Sequence, residues 1–343
     1  MALDRLRQSD SELRMKAVQI SSFGGPEVLE IVSLPTPRPA RGQVLVRVHA
    51  AGVNYFEVLM RSDRYAVTPA LPMRPGVEVS GIVEAVGEEV ASDMLGARVA
   101  VPMFAFGVSS GGYAEYVAVD ADSVLPLPDT LSFADAVALQ VQGLTALHLS
   151  RLRSVTDKTV VVTAAAGGVG SLLVQLLKTA QARTVVALTS SKAKQELALS
   201  LGADYAVSYA DSKWTATVHK ALRADDLIVD LVGGALTRSC LPALAPGGEI
   251  VFAALGRFDL SSEEVDGMLA NNQALSGFAL LPRLAPSTVK AELLELFHQA
   301  TSGRLKVVLG GGFSLERVGE AHRAIENRET VGKVVLYPHG DGQ

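Results

Sequence analysis

Small residues recur at a fixed spacing in the stretch AAAGGVG, near the middle of the chain. Ala165, Gly167 and Gly170 occupy the three glycine positions of a G-x-G-x-x-G pattern, with alanine in the first place. In such a pattern the second position lets the backbone approach a diphosphate, and the third lets a helix pack against its strand. The N–H groups expected to face the anion belong to Gly167, Gly168, Val169 and Gly170. The spacing therefore predicts a dinucleotide site built on backbone amides.

The pattern lies within a long uncharged run, TVVVTAAAGGVGSLLVQLL, which raises the alternative of a membrane span. A spanning helix is apolar along its whole length. This run instead begins with β-branched residues, passes through small residues and glycines, and ends with helical spacing. It therefore predicts a strand, a tight turn and a helix, and no membrane partner.

Alternating elements follow this unit along the chain. The stretches TVVALTSS, DYAVSY, DDLIVDLVGG and EIVFAALG are predicted strands, and KAKQELALSLGA and LTRSCLPALAPGG are predicted helices. Such alternation implies right-handed crossovers and a parallel sheet that binds its ligand at the carboxyl ends of the strands. The predicted fold class is α/β, with a Rossmann doubly wound parallel sheet.

The end of the second predicted strand indicates which dinucleotide binds. An NAD site usually has an acidic residue about twenty residues after the glycines, on the ribose 2′-hydroxyl. No acid stands there in this chain, which instead has Thr189, Ser190, Ser191, Lys192 and Lys194. A 2′-phosphate is repelled by a carboxylate and attracted by an ammonium group. We therefore predict NADPH as the cofactor.

The composition bounds the remaining classes of function. The 343 residues are 48% apolar, which suffices for two hydrophobic cores, and the net charge of −5 disfavours nucleic acid as a partner. The single cysteine, Cys240, cannot form an internal disulfide, which fits a reducing, cytoplasmic location. The N-terminal stretch MALDRLRQSDSELR lacks the apolar segment of an export signal, and residues 1–13 are predicted to be a solvated extension.

Residues 14–135 differ in pattern from residues 136–270, which hold the Rossmann elements. The stretches VLVRVHAAGV, EVSGIVEAVG, ARVAVPM and YAEYVAV are short and apolar, with glycine and proline between them. This arrangement is typical of strands in a β-rich barrel. Residues 271–343 form a third segment, which contains a long amphipathic helix and the predicted strand GKVVLYP. The sequence therefore predicts two domains and a C-terminal segment.

Seven stretches in order give the chain a family resemblance over nearly its whole length: AAGVNYFEVLMRSDRY, RPGVEVSGIVEAVG, GGYAEYVAV, QGLTALHL, AAAGGVGSLLVQLLK, KQELALSLGAD and GKVV. The sequence resembles the zinc-independent quinone oxidoreductase (zeta-crystallin-like) branch of the medium-chain dehydrogenase/reductase superfamily. The resemblance implies that residues 14–135 form a GroES-like catalytic domain and that NADPH lies in the cleft beside the Rossmann domain. It also implies that residues 271–343 return to the catalytic domain and that the protein is a homodimer.

The resemblance also assigns residues to the site. Asn54 and Thr145 match positions near the nicotinamide, Tyr65 matches a residue of the substrate cleft, and Lys194 and Tyr209 match contacts to the 2′-phosphate. Tyr55 and Tyr65 are candidate hydroxyl donors to a substrate oxygen, because a phenol can hydrogen-bond an enolate. Solvent is the alternative source of the proton.

The positions that bind zinc in related enzymes are altered in this chain. Metal-dependent members of the superfamily have a cysteine shortly after AAG and a histidine in GHE, whereas this chain has Asn54 and Val77 there. Since neither is a serviceable zinc ligand, we predict no metal site. Without a Lewis acid, hydride transfer to a small hydrophobic quinone or α,β-unsaturated carbonyl is favoured over alcohol oxidation. Two alternatives remain open: an enoyl-thioester reductase, and a non-catalytic NADPH-binding protein of the crystallin kind.

Overall fold

The structure, a computed structural model, describes residues 13–340. The predicted extension at residues 1–13 lies outside this range apart from Leu13, which is exposed. The first part of the chain consists of β1 (Arg14–Ile20), β2 (Leu29–Pro35), β3 (Gln43–Val53), α1 (Tyr55–Arg61), β4 (Val79–Val86), β5 (Arg98–Val101), β6 (Tyr116–Asp120) and β7 (Leu125–Pro126). In β3, Val44, Val46 and Val48 are buried while Arg47 is exposed, which is the alternation expected of a strand with one face on a core.

The second part begins with helices that lead into a parallel sheet. Its elements are α2 (Phe133–Ala138), a π-helix (Leu139–Gly143), α3 (Leu144–Ser150), β8 (Thr159–Val162), α4 (Gly168–Thr179), β9 (Thr184–Thr189), α5 (Lys192–Ser200), β10 (Tyr205–Ser208), α6 (Trp214–Ala221), β11 (Leu227–Asp230), α7 (Ala235–Cys240), β12 (Glu249–Phe252), α8 (Ser262–Ala270) and β13 (Ala274–Gly277). The last elements of the described chain are α9 (Pro286–Thr301), β14 (Leu309–Ser314), α10 (Val318–Glu326) and β15 (Lys333–Tyr337).

The second sheet has six parallel strands in the order β10-β9-β8-β11-β12-β13. This is the strand order of a doubly wound Rossmann sheet. Strands β8 to β10 are added toward one edge of the sheet and strands β11 to β13 toward the other, so the switch point lies between β8 and β11. The loops that follow these two strands therefore open a crevice at their carboxyl ends, where such sheets bind ligands. The predicted α/β class with a Rossmann sheet is confirmed.

The first sheet has the order β14-β15-β3-β4-β5-β7. The N-terminal part of β3, residues 43–47, also pairs with β6. Its valine-rich core includes Val46, Val83 and Val119, each of which is almost completely buried. Burial of a side chain of this size stabilises the fold by about 1.5–3 kcal/mol. The predicted β-rich domain is therefore present, with two of its strands supplied by the end of the chain.

The return to the first sheet starts later than predicted. β13 pairs with β12, and α9 packs into the core of the second sheet through Val289, Leu293 and Phe297. Only from β14 onward does the chain join the first sheet, about one helix and one strand after the predicted boundary at residue 271. The physical reason is that α9 has an apolar face, and this face is covered where Leu296 packs beside Gly143 of the π-helix.

Candidate active site

The glycine-rich turn joins β8 to α4 at the switch point of the parallel sheet. Gly167 is the N-cap, and α4 begins at Gly168, so the first amides of the helix face the crevice without intrahelical partners. A Cβ on Gly170 would overlap the carbonyl oxygen of Ala164 and lie 2.7 Å from the Cα of Ala165. A Cβ on Gly167 would meet only the oxygen of Ala164, at 3.2 Å. Gly170 is therefore required by packing, whereas Gly167 leaves room for a ligand.

A buried carboxylate holds the loops on both sides of the crevice. Asp230, at the end of β11, accepts hydrogen bonds through Oδ1 from Thr163 Oγ1 at 3.1 Å and from the amides of Val232 and Gly233 at 2.9 and 3.1 Å. Thr163, which follows β8, accepts in turn from the amide of Leu231 at 2.8 Å. These contacts fix the turn that carries the glycines against the neighbouring loop, so the amides are held in place before any ligand binds.

The predicted 2′-phosphate residues gather at the end of β9. Thr189 ends that strand, and the amide of Tyr209 donates to its oxygen at 3.1 Å. Ser191 caps α5 by accepting from the amide of Lys194 at 3.4 Å, while Ser190 lies half-buried between the strand and this cap. The five residues that the sequence proposed for this end of the cofactor are therefore neighbours in space.

An arginine that the sequence did not single out completes this group. Lys194 Nζ donates to the carbonyl oxygen of Arg328 at 2.6 Å, from the loop between α10 and β15. Burial lowers the pKa of Lys194, and the positive charge of Arg328 lowers it further. Neither cation forms an ion pair with an acidic side chain of residues 13–340. Two close, unneutralised cations are suited to a doubly charged phosphate.

Asn54 lies at the other end of the crevice, where it caps α1 directly after β3. Its amide Nδ2 donates to Glu78 Oε1 at 2.8 Å, and its Oδ1 accepts from Lys333 Nζ at 2.8 Å. Lys333 also forms an ion pair with Glu78, and both side chains are fully buried. The second Glu78 oxygen accepts from the amide of Val141 at 2.7 Å. The amide nitrogen and the amide oxygen of the Asn54 side chain are thus both hydrogen-bonded within the protein. At its predicted position beside the nicotinamide, Asn54 would therefore be a rigid part of the cleft wall.

Glu78 and Lys333 were not predicted as site residues, although both lie in motifs that carry the family resemblance. Glu78 follows Val77 in GVE, and Lys333 belongs to the GKVV that opens β15. Gly332, just before Lys333, donates its amide to the oxygen of Ala166 in the glycine-rich turn at 2.8 Å. The pair therefore links the wall of the first domain to the turn of the second.

Thr145 lies one residue into α3, where the π-helix ends. Its hydroxyl donates to the oxygen of Val141 at 2.7 Å, so it is held within its own helix. The neighbouring Gln142 reaches the start of α4, where its side chain fills the place that a Cβ on Gly168 would take. The π-turn therefore brings Thr145 to the helix that borders the glycine-rich turn, and such turns are frequent at functional sites.

The two candidate tyrosines border the mouth of the cleft. Tyr55 begins α1 and is 39% exposed, and its hydroxyl accepts a hydrogen bond from Arg257 Nη1. Tyr65 is half-buried, with its ring 5.8 Å from that of Phe56, and burial raises its pKa. The two phenols thus share one rim, and the Tyr55 hydroxyl is hydrogen-bonded to the loop that follows β12. No sequence pattern pointed to Arg257.

A buried group of polar residues holds α1 in place through Glu57. Glu57 accepts from the amides of Asn54 at 2.8 Å and Gly76 at 2.9 Å, and from the Tyr113 hydroxyl at 2.9 Å. Burial raises the pKa of Glu57 to about 7, against the lowering effect of the hydrogen bonds from Asn54 and Tyr113. The edge of the His322 ring meets Tyr113, with the ring centres 6.0 Å apart. This packing fixes the helix that carries Tyr55.

His322 makes the stability of the protein depend on pH. It is fully buried, and neither ring nitrogen has a hydrogen-bond partner among the described residues. Burial, followed by the charge of Arg61, lowers its pKa from 6.5 to about 3. Below pH 6.5 the unfolded chain therefore binds a proton that the folded chain does not, and the free energy of unfolding falls by about 1.4 kcal/mol per pH unit. We expect His322→Leu to remove this contribution to the slope, as measured by urea unfolding across the acidic range.

The control for this measurement is His298→Gln, because His298 is exposed on α9. Its unfolding free energy should follow the wild-type pH dependence. If the His322→Leu curve also ran parallel to the wild type between pH 6.5 and the acid limit, the buried neutral imidazole would be refuted.

Two family models match separate parts of the chain. The alcohol dehydrogenase GroES-like domain matches residues 40–129, which hold β3 to β7. The zinc-binding dehydrogenase model matches residues 201–336, which reach from the end of α5 into β15. The first match covers most of the first sheet, and the second covers β10 to β13 of the parallel sheet and continues through β14 into β15 of the first sheet.

Relatives and solved structures match almost the full length. The quinone oxidoreductase of Mus musculus is 31% identical, covering 94% of this chain and 97% of its own. Escherichia coli quinone oxidoreductase complexed with NADPH superposes with a TM-score of 0.84 at 26% identity, covering 94% of this chain and all of its own. A mycobacterial protein complexed with NADPH gives 0.82 at 29% identity, with coverage of 94% and 100%.

The fold and the comparisons together define a dinucleotide-binding oxidoreductase scaffold with a GroES-like region and a parallel Rossmann sheet. Within that class, the chain belongs to the quinone oxidoreductase family of the medium-chain dehydrogenase/reductase superfamily. The resemblance noted from the sequence is confirmed.

The side chains at the two positions that bind zinc in related enzymes, Asn54 and Val77, do not fit a catalytic zinc ion. The Val77 side chain is apolar and buried, and the Lys333 ammonium group already occupies the space between Asn54 and Glu78. A cation held by these oxygens leaves no site for a second one. Among residues 13–340, no group of three histidine, cysteine or acidic side chains is placed to hold a metal. Zinc independence remains a prediction.

Two further predictions bear on the environment of the chain. Within residues 13–340 no helix combines the length and the apolar character needed to span a bilayer. Cys240 is fully buried, and burial raises the pKa of its thiol, as expected of an inert side chain.

Proposed function

We propose that this chain is an NADPH-dependent, zinc-independent oxidoreductase that reduces small hydrophobic quinones or α,β-unsaturated carbonyl compounds. The observation that carries the proposal is the alignment of three features along one crevice. These are the unpaired helix-start amides that follow Gly167, the unneutralised Lys194 and Arg328, and the Asn54 wall with Tyr55 at its rim. The family membership supports the same reaction.

The residues of the crevice would have separate roles in binding the cofactor and positioning the substrate. Bound NADPH would supply a hydride to the substrate. The amides of Gly168, Val169 and Gly170 would bind the diphosphate, which Gly167 leaves room to approach, since the Gly167 amide itself donates to the oxygen of Ala164. Lys194, Tyr209, Thr189, Ser190 and Ser191 would surround the 2′-phosphate. Asn54, held by Glu78 and Lys333, and Thr145 would position the reacting ring. Tyr55 and Tyr65 would donate a hydrogen bond to the substrate oxygen, with the proton coming from a phenol or from water.

The test is a turnover assay that follows the loss of NADPH absorbance with simple quinones, enones and enoyl thioesters, at matched concentrations. The expected result is turnover with quinones or enones that exceeds turnover with enoyl thioesters. Turnover confined to enoyl thioesters would make the protein a thioester reductase. Tight NADPH binding with no turnover would instead favour a non-catalytic binding protein.

The preference for the phosphorylated cofactor depends on Lys194. Replacing Lys194 with alanine should weaken NADPH binding about 10–100-fold, because a hydrogen bond to a charged group contributes about 1.5–3 kcal/mol. NADH lacks the 2′-phosphate, so its affinity should change little. Calorimetric titration of both nucleotides measures the difference.

The matched control is Lys192→Ala. Lys192 opens the same helix, but it is exposed and its nearest acid, Glu196, lies 4.0 Å away. Its loss should alter neither affinity appreciably. Equal weakening of NADPH and NADH in Lys194→Ala would refute the assignment of the 2′-phosphate site.

The assembly and location of the protein are also part of the proposal. β13 is the outermost strand of the second sheet, which leaves an edge that a second copy could extend in a homodimer. The single cysteine, which is unpaired, fits a reducing, cytoplasmic compartment. Light scattering of the purified protein tests the dimer.

A further inference from the structure

Arg257 reaches across the cleft from the loop after β12, on the ligand-binding edge of the parallel sheet. Its backbone is fixed, because the amide of Gly234 donates to its oxygen at 2.9 Å. A Cβ on Gly233 would lie only 2.6 Å from the Cβ of Arg257, and Gly233 has a φ of +75° that suits glycine. The loop after β11 is thus shaped around this arginine.

The guanidinium group of Arg257 is held against Tyr55 of the first domain. Its Nη1 donates to the Tyr55 hydroxyl, and its Cζ lies 5.6 Å from the centre of that ring, which allows a cation–π contact. Nη2 lies on the other side, where a Cβ on Gly234 would be 3.6 Å away. The hydrogen bond and the ring contact with Tyr55 therefore set the direction of the side chain before a substrate arrives.

Both partners retain hydrogens for a ligand. Guanidinium has five N–H donors, of which Arg257 uses one on protein, and no acidic side chain of residues 13–340 pairs with it. Tyr55 accepts from Arg257, so its own hydroxyl hydrogen is free, and no described residue accepts it. A cation without a carboxylate partner thus stands beside a phenol with an unused donor.

Two apolar residues neighbour Arg257 in its loop. Leu255 and Phe258 flank Arg257 in the loop and are 46% and 54% exposed. Gly256 packs on the segment that carries Tyr65, since a Cβ there would lie 3.0 Å from the amide of Ala66. An apolar rim excludes water when a hydrophobic substrate enters, which strengthens the field of a fixed cation.

We infer that Arg257 and Tyr55 form a two-donor oxyanion site for the carbonyl oxygen of the substrate. Arg257 is then a catalytic residue that touches the oxygen. The inference rests on the proposed reduction of quinones or enones, and it assigns the group that stabilises the charge formed in that reaction.

Reduction of an enone places a negative charge on its carbonyl oxygen. The β-carbon accepts a hydride, which carries two electrons, from NADPH, which leaves as NADP⁺. The electron pair of the C=C bond moves to form an enolate, so that the carbonyl oxygen becomes negative. Tyr55 and Arg257 hold this oxygen by hydrogen bonds, and a proton from solvent then adds to the α-carbon. The net change is addition of two hydrogens across the double bond.

The kinetic experiment uses Arg257→Met, Arg257→Lys, Tyr55→Phe and the double variant Arg257→Met/Tyr55→Phe. For Arg257→Met we expect kcat to fall about 10²–10³-fold, which is the loss typical of one oxyanion donor, while the dissociation constant of NADPH stays within about two-fold. Lysine should restore part of kcat. The double variant should lose less than the product of the single losses, because the two groups bind one oxygen. An unchanged kcat in Arg257→Met would overturn the inference.

A binding experiment decides the site without turnover. Para-nitrophenolate carries a charged oxygen on an aromatic ring, and nitrobenzene is its neutral counterpart. Calorimetry on the complex with NADP⁺ should show that wild-type protein prefers the phenolate, and that Arg257→Met and Tyr55→Phe each reduce this preference at least about ten-fold. The control, Arg317→Met, removes an arginine that lies over the Phe313 ring and pairs with Glu320, and it should keep the preference. An undiminished preference in Arg257→Met would overturn the inference.

The two experiments separate failure of this inference from failure of the proposed function. If the wild-type protein reduces no quinone or enone, the proposed reaction is wrong, and the phenolate preference alone decides whether Arg257 and Tyr55 bind an oxyanion. If the wild-type protein is active and Arg257→Met is equally active, the reaction stands and the oxyanion site is wrong.

Discussion

Replacing Glu78 with leucine should lower the free energy of unfolding by about 3–5 kcal/mol, the usual effect of removing one partner of a buried ion pair. Lys333 would keep its ammonium group in a fully buried position with only the Asn54 oxygen as an acceptor. The amide of Val141 would lose its acceptor as well. Because Gly332 donates to the glycine-rich turn, NADPH binding should weaken together with stability. Chemical denaturation and calorimetric titration measure both effects.

The double variant Glu78→Leu/Lys333→Met provides the control. Replacing both charges with apolar groups of similar size is often close to neutral, since the cost of removing two charges from water disappears with them. We expect the double variant to recover most of the stability that the single variant loses. If the two variants were equally unstable, packing at Glu78 rather than the buried charge would be responsible.

Replacing Gly170 with alanine should abolish measurable NADPH binding and lower the melting temperature. The added Cβ would overlap the oxygen of Ala164 and press on the Cα of Ala165, and both are backbone atoms that no side-chain rotation can move aside. Either α4 shifts away from β8 or the turn rearranges, and both outcomes displace the amides that face the diphosphate. Overpacking of this kind typically costs about 1–3 kcal/mol in stability.

Gly167→Ala is the matched comparison within the same turn. Its Cβ would meet one protein atom at 3.2 Å, and Gly167 has a φ of −79°, which alanine adopts without strain. The melting temperature should therefore stay near that of the wild type, while the methyl group would still occupy the space where a diphosphate approaches. Loss of NADPH affinity without loss of stability is the expected result. Full affinity in Gly167→Ala would place the diphosphate elsewhere.

Local patterns predicted much of the scaffold. The change from β-branched residues to small residues and then to helical spacing placed β8, the turn and α4 where the structure has them, because backbone preferences act within a few residues. The lack of an acid after β9 indicated the phosphorylated cofactor for the same local reason. The sequence did not show that α9 shares a core with α3 and α4, because an amphipathic pattern shows that a helix must cover a core but not which one.

The chemical detail of the cleft depends on contacts that no local pattern encodes. Lys333 is 279 residues from Asn54 along the chain, and Arg257 is 202 residues from Tyr55. The sequence motifs indicated Asn54 and Tyr55 but not their partners Lys333 and Arg257.

The sequence by itself determined the nucleotide turn, the order of strands and helices, and the family of the chain, since these depend on neighbouring residues and their periodicity. Only the tertiary structure decided that Lys333 and Glu78 lock the cleft wall and that Arg257 faces a phenol instead of a carboxylate. Whether a charged side chain is neutralised depends on which distant atoms surround it, and folding alone brings those atoms within hydrogen-bond distance.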